Sequence, residues 1–148
     1  MHRIVVAVDM SEPSLRAVEF AADLAAKYDA ELVLLTVGRA TAAWPDPGLE
    51  AYARAEHVRE PIPTAAVESI REELAGIRDR VAAKGAGNIS IDVYVGDPTE
   101  QILACADARQ ADLIALGSRG HGRLAGLLLG SVAQKVTALS RCPVLVVH

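Results

Sequence analysis

Glycine, serine and arginine residues cluster between Gly117 and Ser131, the part of the sequence best suited to binding an anion. The cluster opens with GSRGHG at 117–122 and closes with Gly130-Ser131. Glycines allow positive φ angles and let backbone N–H groups approach a ligand closely. A helix that begins at Gly130-Ser131 adds unpaired N–H donors and the positive end of its dipole. We therefore predict that this segment holds the phosphates of a small ligand, with Arg119 nearby.

Two alternatives compete with this interpretation. Isolated glycines usually build turns, and a Gly-Ser pair can simply cap a helix. The position directly after an apolar run, the number of glycines and the second Gly-Ser pair favour a ligand site. Neither common nucleotide fingerprint is present, because the sequence has no GxxxxGK[ST] and no GxGxxG after its first apolar run. The predicted phosphate site is therefore of another type.

Other residues in the sequence give little support for catalysis or for a metal site. His121 could act as a base or sense phosphate charge, but an exposed loop histidine is the more common case. Ser118 and Ser131 lie in no GxSxG elbow, so we predict no catalytic residue. The other histidines have no metal-ligand spacing: His2, His57 and His148. A divalent ion such as Mg²⁺ would arrive with the ligand's phosphates.

The elements that would position this segment are five short apolar runs separated by helical patterns. Runs rich in β-branched residues predict strands at 3–8, 31–37, 89–95, 112–116 and 143–147. Ser11 and Asp97-Pro98 predict helix starts, and the apolar spacing over 67–81 predicts an amphipathic helix. This alternation is typical of an α/β fold, a doubly wound parallel sheet with helices on both faces.

In such sheets, ligands bind beyond the carboxyl ends of the strands. The residues that follow the predicted strands are Asp9 to Ser11, Val37-Gly38, Gly96 and Gly117. Asp9 could contact the ligand or cap the following helix with Ser11, and the sequence favours neither. The proline-rich stretch 38–63 predicts a long irregular connection with at most a short helix at 50–57, and such connections are often functional.

Size and composition limit the possible functions. The 148 residues fit a single domain, and 51% hydrophobic against 23% charged residues indicate a globular chain. A net charge of −4 and 3% aromatic residues argue against nucleic acid or membrane partners. Cys105 and Cys142 lie far apart and are interpreted as buried small hydrophobes. The apolar runs are too short for a signal peptide or a bilayer span, so we expect a cytoplasmic protein.

The chain resembles the universal stress protein family. Its ATP-binding members carry Gly, two residues, Gly, nine residues, then Gly and Ser or Thr, and the sequence matches that spacing without a gap at Gly117, Gly120, Gly130 and Ser131. The resemblance extends to IVVAVD at 4–9, GDP at 96–98, DLI at 112–114 and CPVLVV at 142–147. It therefore covers the whole chain.

The resemblance implies an adenine nucleotide alpha hydrolase-like fold with strand order 3-2-1-4-5, a nucleotide site and a dimer. It implies that the four motif residues named above hold ribose and phosphates, that Asp9 lies beside the nucleoside, and that the backbone of Val37 reads the adenine edge. Met10 stands where family members usually have glycine. Dimerisation through the strand from Pro143 to Val147 also follows from the residues, because a bare apolar edge strand tends to pair with another chain.

Three functions fit these expectations. The first is an ATP-binding regulatory or stress-response protein that signals through its conformation or its partner affinity. The second is a slow ATP hydrolase or phosphotransferase that uses the same pocket. The third is a module that binds AMP or cyclic AMP, because a loop that grips one or two phosphates need not require three.

Overall fold

The computed structural model of this chain describes residues 1–38, 64–120 and 129–148, without the side chains of 64–67. Several sequence predictions fall elsewhere in the chain: His121, the short helix at 50–57 and all of the long connection after Gly38 up to residue 63. They lie outside the described residues.

Five parallel strands form one sheet, as the sequence predicted. They are Arg3–Ala7 (β1), Glu31–Gly38 (β2), Ile89–Val95 (β3), Leu113–Gly117 (β4) and Val144–Val147 (β5). Their order is β3-β2-β1-β4-β5, which confirms the predicted 3-2-1-4-5 topology. Gly117 is the last residue of β4, whereas the sequence analysis had ended that strand at Leu116.

Four helices connect the strands in the described part of the chain. They are Glu12–Tyr28 (α1), Thr64–Ala82 (α2), Pro98–Arg109 (α3) and Ser131–Leu139 (α4). Both predicted helix starts are confirmed, because Ser11 accepts a hydrogen bond from the Ser14 N–H and Asp97 accepts one from the Glu100 N–H. None of the helices among these residues is long and apolar enough to cross a bilayer.

Two apolar cores, one on each face of the sheet, hold the helices in place. Alternate residues of each strand face opposite cores because strand side chains alternate in direction. Ile4 and Leu34 pack under α1 and α2, while Val5 and Leu35 pack under α3 and α4; all four are fully buried. The central strands are therefore covered on both faces, as their continuous apolar sequence predicted.

Charged side chains join the amino ends of the strands to α3. The Arg3 Nε donates to Glu31 Oε2 at 2.7 Å. The Arg109 guanidinium donates to both carboxylate oxygens of Asp92, at 2.6 and 3.0 Å. The hydrogen bond from Arg3 holds the pKa of Glu31 below its ordinary value. These pairs join β1 to β2 at their amino ends and tie α3 to the middle of β3.

The two cysteines differ in their surroundings. Cys105 is fully buried, as predicted, and its burial raises the pKa of its thiol to about 11. Cys142 is only half-buried, which is less than the sequence analysis expected. Since the thiolate is the reactive form, Cys105 is chemically inert at neutral pH.

Acid should destabilise the fold through Glu31. The pKa of Glu31 in the folded protein lies below the ordinary value of 4.5. The contribution of Glu31 to the free energy of unfolding is therefore complete above pH 4.5 and is lost as the pH falls through the folded pKa. Glu31→Gln is expected to lower the free energy of unfolding at neutral pH by only about 1 kcal/mol, because solvent screens the partly exposed Arg3. Urea denaturation of the unaltered protein and of the variant, from about pH 7 to about pH 3, measures the free energy of unfolding and its pH dependence. A variant with the same pH dependence as the unaltered protein would contradict this prediction.

Candidate functional site

The carboxyl ends of β1, β2 and β4 surround a cleft of about 760 Å³. The chain leaves β1 for a helix on one face of the sheet and β4 for a helix on the other, which is where such sheets open a crevice. Seven residues predicted for the site line this cleft: Asp9, Val37, Gly117, Arg119, Gly120, Gly130 and Ser131. Ser11 and Gly96, which also follow predicted strands, are not among its lining residues. The fold therefore brings together positions that are far apart in the sequence.

The start of α4 leaves backbone N–H groups without a capping side chain. Gly130 is the N-cap and has no side chain that could cap the helix, and the first turn contains no acidic residue. By contrast, α1 and α3 each have a capping side chain and an acidic residue in the first turn. The positive end of the α4 dipole, beginning at Ser131, is thus available to an anion in the cleft.

One of the donors predicted from the sequence is already used. The sequence predicted that the Gly130 N–H is unpaired. In the structure it donates to the Ser118 carbonyl at 2.7 Å. The Ser118 N–H donates to the Val147 carbonyl at 2.6 Å, and Ser118 itself is buried. The sequence analysis considered Ser118 only as a nucleophile. The backbone N–H and carbonyl of Ser118 instead tie the end of β5 to the start of α4.

Close packing against backbone, rather than a positive φ angle, explains the glycine at position 117, whereas a Cβ at Gly130 would make only ordinary contacts, the nearest at 3.4 Å to the Ser118 carbonyl oxygen. Among the described residues, Gly117, Gly120 and Gly130 are all outside the left-handed region, which corrects the expectation from the sequence. A Cβ added to Gly117 would lie 2.6 Å from the Ser14 backbone nitrogen, and one added to Gly120 would lie 2.5 Å from Asp9 Oδ2. A larger residue at Gly117 would force the end of β4 away from the α1 start, whereas one at Gly120 would displace the Asp9 carboxylate.

Asp9 has a structural role and also lines the cleft. Its Oδ1 accepts hydrogen bonds from the backbone N–H, at 3.0 Å, and from the hydroxyl of Ser11. The Ser11 hydroxyl oxygen is also 3.3 Å from the Arg119 carbonyl oxygen. Ser11, not Asp9, caps α1, so Asp9 orients the cap rather than forming it. Its Oδ2 is directed at Gly120, on the cleft side.

Met10, directly after Asp9, has a φ of 63°. The left-handed conformation costs a non-glycine residue about 1–2 kcal/mol. The Met10 side chain is half-buried, lines the cleft and packs against the core beneath α1 and α2. The position thus needs the backbone freedom of glycine and nevertheless carries a large apolar side chain.

Val37 presents its backbone to the cleft. The Val8 N–H donates to the Leu35 carbonyl at 2.8 Å, and the Gly96 N–H donates to the Gly38 carbonyl at 3.1 Å. In a parallel strand, backbone groups of alternate residues point to the same neighbour. The backbone N–H and carbonyl of Leu35 point towards β1. The same groups of Val37, two residues later, therefore point in the same direction, past the last residue of β1.

The sequence analysis missed most of the apolar lining. Ile70 of α2 belongs to one wall, and Ile102 of α3 belongs to the opposite wall. Glu73 adds a second carboxylate to the lining. Only the sheet topology places the ends of α2 and α3 that carry these isoleucines at the cleft.

Comparison with known proteins agrees with this architecture. The sequence model described as the universal stress protein family matches residues 1–148. The chain belongs to the universal stress protein family. Universal stress protein YxiE from Bacillus subtilis is 34% identical over 147 residues, which cover 99% of each chain.

Solved universal stress proteins share the fold. UspA from Lactobacillus plantarum superposes with a TM-score of 0.80 at 24% identity, covering 99% of this chain and 97% of that one. A universal stress protein solved in complex with cAMP has a TM-score of 0.69 at 33% identity, covering 99% of this chain and 96% of that one. The adenine nucleotide alpha hydrolase-like fold predicted from the sequence is thereby confirmed.

The packing of Gly117 can be tested by substitution. Gly117→Ala is expected to lower the free energy of unfolding by about 1–3 kcal/mol, because the added methyl group overlaps backbone atoms that cannot move independently. Gly87→Ala is the matched control, since a Cβ there meets nothing within 4 Å. Urea denaturation followed by circular dichroism measures both variants. Equal stability of the two variants would contradict the packing argument.

Proposed function

We propose that this protein is an ATP-binding regulatory protein of the stress response, whose output is a change in conformation or in affinity for a partner. The observation that carries the proposal is the start of α4, which opens into the cleft with neither a capping side chain nor an acidic residue. A phosphate would supply the missing negative charge and hydrogen-bond acceptors.

The phosphate end of the proposed site is the α4 start and the loop after β4. Ser131 offers its hydroxyl and the first N–H of the helix. The guanidinium of Arg119 lines the cleft and forms no ion pair with any residue that the structure describes, so it remains available to an anionic ligand. The steric fit between Gly120 and Asp9 keeps the loop close to the cleft floor.

The nucleoside end of the proposed site is the end of β2. The adenine edge carries both a donor and an acceptor, which can pair with the backbone carbonyl and N–H of one residue. Val37 has the orientation for that role. Asp9, at the end of the adjacent strand, offers a carboxylate oxygen to a ribose hydroxyl or to a Mg²⁺ that accompanies the phosphates.

A second candidate is the binding of cyclic AMP. The relative solved in complex with cAMP is 33% identical to this chain. The α4 start can hold one phosphate as well as a chain of them, so the geometry of the described residues does not require ATP. The two candidates differ in the ligand and share the site.

Identification of the bound nucleotide separates the candidates. The purified protein is expected to release ATP on denaturation, detected by mass spectrometry, and to bind ATP more tightly than AMP or cyclic AMP in calorimetry. Tighter binding of cyclic AMP would favour the second candidate. Incubation with labelled ATP is expected to give no more phosphate than buffer alone, and faster turnover would favour a hydrolase.

A paired substitution tests where the nucleotide binds. Gly120→Val with Ser131→Ala is expected to weaken ATP binding at least about tenfold, because it displaces the Asp9 carboxylate and removes a phosphate donor. Gly87→Val with Ser69→Ala is the matched control, since Gly87 has open space and Ser69 is exposed on α2 outside the cleft. Calorimetry measures both variants. Unchanged affinity in the first pair would place the nucleotide elsewhere.

We further propose that two copies pair through β5, which lies at one edge of the sheet beside β4. The Pro143 and Val147 carbonyls accept hydrogen bonds from the β4 side. The backbone groups of Val144 and Val146 therefore point outwards, where a second chain can pair with them. Phe20, on the helix that contacts β5, is 56% exposed and adds apolar surface to this edge.

A proline in the edge strand tests the dimer. Val146→Pro removes an outward donor and is expected to convert the dimer to a monomer while leaving the β4 pairing intact. Val146→Ala, which retains the N–H, is expected to stay dimeric. Light scattering coupled to size-exclusion chromatography gives the mass of each. A monomeric unaltered protein, or a dimeric proline variant, would contradict pairing through β5.

A further inference from the structure

The strained backbone at Met10 points to a use for its side chain. The φ of 63° is a conformation that glycine adopts freely and methionine does not. Strained residues of this kind persist where the surroundings hold them, and they occur often at ligand sites. Met10 also lines the proposed nucleotide cleft.

Two apolar walls face each other at the end of the cleft where Val37 lies. Met10 and Ile70 pack against the core beneath α1 and α2 and form one wall. Ile102, from the core beneath α3 and α4, belongs to the other. Since α2 and α3 cover β2 on opposite faces, the space between the walls lies next to the outward backbone of Val37. An apolar space beside the outward N–H and carbonyl of Val37 suits a flat heteroaromatic ring with a donor and an acceptor on one edge.

We infer that Met10 is a specificity-determining residue whose thioether packs against the nucleobase of the bound nucleotide. This inference rests on the proposed function, because it assigns the base to one end of the same cleft. The methionine side chain is long, unbranched and polarisable, and sulfur makes favourable contacts with aromatic rings. The nucleobase is thus held by apolar contact at Met10, and the phosphates are held by charge at the α4 start.

A role in core packing alone would give a different result from a contact with the base. Met10 is only half-buried and is one of the residues that line the cleft. Loss of core packing alone would lower the free energy of unfolding and would change the affinity for ATP and for tripolyphosphate equally. Loss of a base contact would weaken only ligands that have a base.

Three variants at position 10 separate these roles. Met10→Gly and Met10→Asn both suit left-handed backbone and are expected to fold, while Met10→Leu keeps an apolar side chain of similar volume. The ligands are ATP and inorganic tripolyphosphate, measured by displacement of a fluorescent ATP analogue. The glycine and asparagine variants are expected to bind ATP about tenfold more weakly. The leucine variant should stay within about threefold, and tripolyphosphate affinity should not change.

Each other outcome overturns the inference. Unchanged ATP affinity in Met10→Gly would mean that the side chain does not contact the ligand. An equal loss for ATP and tripolyphosphate would mean that Met10 acts on the whole Asp9 loop. If the unaltered protein bound no ATP, the proposed function would fail and this inference with it. If it bound ATP and only the position 10 variants behaved otherwise, the proposed function would stand without the inference.

Discussion

The close approach of the β4 end to the start of α1 is the constraint on which the site depends. Gly117 lies against the Ser14 backbone, and Gly120 lies against the Asp9 carboxylate, with no room for a Cβ at either contact. Interiors packed at this density transmit small displacements because atoms cannot shift singly. A side chain at Gly117 would move the loop after β4 and, through it, the start of α4, and one at Gly120 would displace the Asp9 carboxylate.

Hydrogen bonds extend this contact to the rest of the cleft. Asp9 accepts from Ser11, whose hydroxyl also approaches the Arg119 carbonyl, so the loops after β1 and β4 are joined. The Ser118 peptide joins the β4 loop to β5 on one side and to Gly130 on the other. β5 and α4 are therefore connected through the backbone of one buried residue, Ser118.

Charges inside the fold and charges at the cleft are treated differently. Away from the cleft, Arg3 pairs with Glu31 at the amino ends of β1 and β2, and Arg109 pairs with Asp92 in the middle of β3, so these charges are neutralised within the fold. At the carboxyl edge, Arg119 and the α4 dipole have no such partner among the described residues. Charge satisfied internally stabilises the sheet, whereas charge left open in a cleft is suited to a ligand. This contrast separates the structural end of the molecule from its candidate functional end.

The sequence by itself determined the strands and the helix starts at Ser11 and Asp97, because apolar periodicity and capping are local properties. It also named seven of the residues that line the cleft, from their places after predicted strands and in a glycine-rich motif. It misjudged why the motif needs glycine, which is steric contact with Ser14 and Asp9, and it counted the Gly130 N–H as unpaired. It did not place Ile70 or Ile102 at the cleft. Contacts between residues distant in the chain follow from how the layers pack, so only the tertiary structure could decide them.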